Sequence, residues 1–188
     1  MSFLDNIFDI KDEQEIIGLT SELKSLYIYN RFKKDNKSIL FVTNNLHDAG
    51  KIYASLTHHT NKVWFFPMDD FLTSEAIAIS PEFKATRLET INNLLNSNKN
   101  IVITNLMGYL RFLPSINNFK DSYITLKKDK DYKNLIDKLY KIGYKRETTV
   151  NMTGEIAVRG FVIDIFPVNT DNPIRIEFWG DTIDTIKT

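Results

Sequence analysis

A chain of 188 residues with 43% hydrophobic content is long enough to bury one sizeable core, or a larger and a smaller one, which excludes disorder as its main state. Its 24 basic and 24 acidic residues cancel to a formal net charge of zero, which excludes a module that holds DNA or RNA by bulk electrostatics. Cysteine is absent, so there is neither a disulfide framework nor a thiolate metal site.

The chain opens with MSFLDNIFDI, which is acidic where a secretory leader is basic. No later stretch approaches the roughly 20 apolar residues that cross a bilayer, so a cytoplasmic protein with no membrane partner is expected. From there to about residue 117, short β-rich runs at 15–19 (EIIGL), 38–43 (SILFVT), 62–66 (KVWFF) and 100–104 (NIVIT) alternate with helical periods near 22–34, 45–57 and 81–97. Strands that are apolar on both faces and separated by helices predict an α/β fold with a mostly parallel sheet flanked by helices.

Between the first run and the first helix lies GLTSELKS, residues 18–25. Gly18, Lys24 and Ser25 stand where a phosphate-binding G-x-x-x-x-G-K-[ST] loop has its first Gly, its Lys and its Ser. Leu23 occupies the place of the second Gly, where backbone N–H groups must curl around a phosphate. An ordinary strand-to-helix turn, with Thr20 or Ser21 as cap and Glu22 in the first turn, accounts for the same residues.

Further along, His58 and His59 have no third ligand at a sensible spacing, and Asp69 and Asp70 read as loop residues after an apolar run. The helix near 81–97 has Ser80 as its N-cap and Pro81 at its first position. A helix over 131–142 carries Tyr132, Leu135, Ile136, Leu139 and Tyr140 on one stripe, with Gly143 placed to end it. Strands then follow without helices at 144–151, 155–159, 161–166, 174–179 and 182–187. Two domains are expected: residues 1–117, and residues 118–188 as a small α+β domain with an antiparallel sheet. Asp164, inside VIDIF, is costly to bury unpaired and is expected to pair with an Arg or with backbone donors.

GEIAVRGFVIDIFP (154–167) followed by PIRIEFWGDTIDTI (173–186) resembles the small domain shared by the excinuclease protein UvrB and the bacterial transcription-repair coupling factor, where a strand pair of this form binds the excinuclease protein UvrA. FFPMDDFLTSEAIAISPEFKATRLETINNLL (65–95) and NIVITNLMGYLRFLPS (100–115) are similar to the coupling factor, and the chain lacks the working phosphate loop of UvrB. The resemblance implies an N-terminal, non-catalytic piece of a longer DNA translocase. It further implies a decayed phosphate loop, no cofactor, and recruitment of excinuclease UvrA to stalled RNA polymerase. In the full-length family member RNA polymerase and double-stranded DNA are further partners.

On this sequence the family's partner-binding surface maps to Arg146, Arg159, Phe161, Arg175, Glu177 and Phe178. Arg and exposed aromatic residues are the set that makes interface hot spots. Only six of the 24 basic residues are Arg, and three of those follow residue 140, so these are expected to serve for their planar fork. Adjacent residues alternate across a strand, so Glu177 and Phe178 face the same way only across a bulge. The rival readings are an NTPase fragment with Lys24 on phosphate and Asp70 on Mg²⁺, and a DNA-binding fragment like UvrB.

Overall fold

The structure is a computed structural model that describes residues 15–70, 80–168 and 170–188. The N-terminal decapeptide, residues 71–79 of the 65–95 stretch, and Asn169 lie outside them. The chain divides into two compact units, the first ending at Arg111 and the second spanning Phe112–Thr188. Among the described residues no helix is long and apolar enough to cross a membrane.

In the first unit, α1 (Ser21–Lys34), α2 (Leu46–Thr57), α3 (Pro81–Asn96) and the short α4 (Leu106–Tyr109) accompany β1 (Ile39–Thr43), β2 (Val63–Phe66) and β3 (Ile101–Asn105). The three strands are parallel in the order β1-β3-β2. Being central, β3 is buried at all five residues. Ile28 and Phe32 of α1 and Ala49, Ile52 and Leu56 of α2 close over Val63, Ile101 and Ile103. Each large apolar side chain so removed from water contributes roughly 1.5–3 kcal/mol. α3 runs beside the edge strand β2, where the Thr90 hydroxyl donates to the Phe65 carbonyl at 2.5 Å and Arg87 Nη1 to the Pro67 carbonyl at 2.8 Å.

The βαβ alternation expected over residues 38–105 is present, but the strand expected at 15–19 is not. Residues 15–19 are without strand, and Ile17 is 83% exposed. An apolar run becomes a strand only where a neighbouring strand supplies its hydrogen bonds, and β1, the edge on one side, pairs with β3 alone among the described strands.

The second unit holds α5 (Ile116–Asp121), α6 (Leu135–Lys141) and a five-stranded sheet of β4 (Lys145–Arg146), β5 (Glu155–Arg159), β6 (Val162–Ile165), β7 (Ile174–Trp179) and β8 (Thr182–Lys187) in sequence order. β4 and β5 are parallel and the other pairs antiparallel. Leu135 and Leu139 of α6 pack on Ile156, Ile163, Ile165, Ile176 and Ile183, which form one face of the sheet. Gly143, at φ 104°, ends the helix as its spacing predicts: Gly143 N–H donates to the Tyr140 carbonyl and Tyr144 N–H to the Leu139 carbonyl, a left-handed closure that a Cβ would strain.

Two elements are shorter than their sequence predicts. The helix begins at Leu135 because Asn134 is left-handed and Asp131 is bridged to Thr182, so the preceding backbone extends the β8 edge. β4 stops at Arg146 because side chains take over its ladder. Arg159 Nη2 donates to the Thr148 carbonyl at 2.8 Å, and the Glu155 carboxylate accepts from the N–H groups of Asn151 and Met152 at 2.8 and 2.9 Å.

Candidate partner-binding surface

The residues aligned with a phosphate loop do not form a cradle. Thr20 caps α1, its hydroxyl accepting from Leu23 N–H at 3.3 Å. Ser25 is fully buried and donates to the Ser21 carbonyl at 3.1 Å, while Lys24 and Gly18 are exposed. The Glu22 carboxylate is held below its usual range by its own backbone N–H and by the Thr20 hydroxyl. An acidic side chain thus occupies the helix start at which a phosphate would lie.

Asp70 is equally committed. Its two carboxylate oxygens accept from Leu46 N–H at 3.0 and 2.9 Å, and Asn105 Nδ2 donates to it at 2.6 Å. The fully buried Asn105 also exchanges bonds with the main chain of Met68, donating at 2.6 Å and accepting at 3.2 Å. Thr104 Oγ1 donates to the Phe66 carbonyl at 2.6 Å. Gly108 is fixed beside them, since a Cβ there would collide with the Thr104 hydroxyl and the Phe66 carbonyl. Among the described residues no group of three or more His, Asp or Glu could hold a metal ion.

In the second unit, the sheet face opposite α6 is accessible and charged. Register aligns Ala157, Asp164, Arg175 and Lys187 in one row, and Arg159, Val162, Glu177 and Thr185 in the next. Arg175 Nε and Nη2 meet Asp164 Oδ1 and Oδ2 at 2.7 and 2.9 Å, the bidentate geometry that suits guanidinium to carboxylate. Glu177 accepts from Lys187 Nζ and from the Thr185 hydroxyl, each at 2.7 Å. Asp164 is held below its usual range first by the hydrogen bond from Arg175, with the charges of Arg175 and Arg159 adding to it against the opposing effect of burial. Glu177 is lowered by its bonds to Lys187 and Thr185.

Of the residues aligned with the family's surface, Arg159, Arg175 and Glu177 share this face. Arg146 pairs in register with Ile156 and therefore lies on the α6 side, exposed at the β4 edge. Phe161 is 69% exposed in the two-residue turn between β5 and β6, and its carbonyl accepts from Phe178 N–H at 2.8 Å. Phe178 turns inward and packs against the core beside Ile176 and Ile183. The sheet is bulged at this point: Glu177 pairs with Thr185 and Phe178 with Ile183, leaving Asp184 as the extra residue. The bulge lies in β8, so Glu177 and Phe178 still face opposite ways.

Sequence reasoning does not select Trp179. It stands 86% exposed on the same face as Arg175 and Glu177, and the period of two along β7 is the signal that finds it. A solvent-exposed Trp on a face that also carries two Arg side chains is the composition of an interface anchor.

The UvrB interaction domain family matches residues 123–188, the segment that contains this sheet. The whole chain is 31% identical over 191 residues to the transcription-repair-coupling factor of Bacillus subtilis. Over 97% and 95% of its length it is 34% and 33% identical to the proteins of that name from Staphylococcus epidermidis and Staphylococcus haemolyticus. It spans 16% of the length of each of these relatives. Over its own length the chain is thus homologous to about one sixth of the transcription-repair-coupling factors, and its second sheet lies in a UvrB interaction domain.

Proposed function

We propose that the chain is a non-catalytic protein-interaction module whose second unit binds the excinuclease protein UvrA, and that in the whole protein this binding brings UvrA to RNA polymerase stalled at damaged DNA. The observation that carries this reading is the outward face of the sheet, on which Arg159, Arg175, Glu177 and Trp179 stand together within the segment matched as an interaction domain. Phe161 adds an exposed aromatic ring at the hairpin tip. Nucleotide binding has no part in this reading, because Glu22 occupies the start of α1 and Asp70 is engaged by Leu46 and Asn105.

Titration calorimetry of the chain against purified UvrA tests this. The native chain is expected to bind, and Trp179→Ala to weaken binding at least about tenfold, as truncation of a central aromatic anchor does. ATP titrated into the chain alone is expected to give no saturable heat. Absence of binding to UvrA, or saturable ATP binding that Lys24→Ala removes, overturns the reading.

A further inference from the structure

Resting on that reading, we propose that Asp164 is a positioning residue that makes the two arginines of the face unequal. It neutralises Arg175, which then meets the partner as a directional donor to an uncharged acceptor, and it leaves Arg159 to receive a carboxylate of the partner.

The two guanidinium groups differ in what already holds them. Arg175 spends Nε and Nη2 on both oxygens of Asp164, a side chain only 15% exposed and flanked in register by the buried Ala157. A bidentate pair held this way is stiff and close to neutral, and its remaining N–H groups keep a fixed direction. A partner carboxylate approaching Arg175 would also approach Asp164, and like charges at that range repel. A main-chain carbonyl or an amide oxygen meets no such opposition.

Arg159 is anchored on an uncharged group, the Thr148 carbonyl, and no ion pair among the described residues includes it. Its position is fixed while its charge stays available. Asp164 acts on it only at longer range: the charge of Arg159 is the smallest of the influences lowering that carboxyl. The charges of Glu177 and Lys187 are mutually compensated in the adjoining rows.

The salt dependence of binding to UvrA separates the two roles, because a contact between net charges weakens with ionic strength and a neutral hydrogen bond does so far less. Arg159→Gln is expected to weaken binding at least about tenfold at low salt and to flatten the salt dependence. Arg175→Gln is expected to weaken it by a similar factor with the native salt dependence retained. Asp164→Asn, which frees the charge of Arg175, is expected to steepen the salt dependence, and Asp164→Glu to restore the native profile. Both arginines are exposed, so their substitutions give an answer even where Asp164→Asn lowers stability. Native binding with equal flattening by the two arginine changes, or an unchanged profile for Asp164→Asn, overturns this inference alone. Failure of the native chain to bind overturns the partner reading and the inference with it.

Discussion

The two sheets dispose of their polar groups in opposite ways. At the C-terminal ends of β1 to β3, Thr104, Asn105 and Asp70 bond inward to main-chain groups of Phe66, Met68 and Leu46. In the antiparallel sheet the polar groups lie in cross-strand rows on an accessible face, paired with one another and open to a partner. A central parallel strand buried at every residue cannot present side chains, whereas an antiparallel sheet with one packed face can. The carboxyl ends of parallel strands are where α/β folds bind ligands, and here polar bonds within the chain fill that place.

This contrast can be broken most forcefully in the cores. Ile176→Ala, at a residue with no exposure beneath the charged face, is expected to cost about 2–5 kcal/mol, read from the midpoint of denaturant unfolding. Asn105→Ala follows, at about 1–3 kcal/mol, because it leaves the Met68 main chain without its partner; binding to UvrA should survive it. Asp164 and Glu177 both have folded pKa values below their unfolded ones, so their contribution is complete above about pH 5 and is lost as pH falls through the lowered folded values. Asp164→Asn should accordingly flatten the acid limb of a stability-against-pH curve. Trp179→Ala is the smallest, within about 0.5 kcal/mol of the native stability, as suits an exposed side chain whose use lies outside the chain.

Much of this division was legible in the sequence. The alternation of apolar runs and helical periods from Ile39 to Asn105 and the strands at 155–159, 174–179 and 182–187 follow from periodicity, because each of these runs finds a neighbouring strand to complete its hydrogen bonds. Residues 15–19 failed as a strand for want of such a partner, and β4 shortened because the side chains of Arg159 and Glu155 claimed backbone groups that a ladder would have used. At the surface, the guanidinium groups were foreseeable, and so was the need of Asp164 for a partner. Three features needed the register: the pairing of that carboxylate with Arg175, the exposure of Trp179, and the separation of Arg146 onto the other face.

Asp184, the surplus residue of β8, also acts as a frameshift. Thr182 and Ile183 are read in one phase of the strand, and Thr185, Ile186 and Lys187 in the other. The isoleucines are therefore three apart rather than two, yet both lie in rows with inward-facing residues, Phe178 and Ile176. Removing Asp184 would restore a continuous count of two across the strand. With Ile183 still inward, Thr185 and Lys187 would still face outward and Ile186 inward, so Glu177 would keep both of its hydrogen-bond partners. The deletion would cost the sheet only its bulge and the local twist that comes with it.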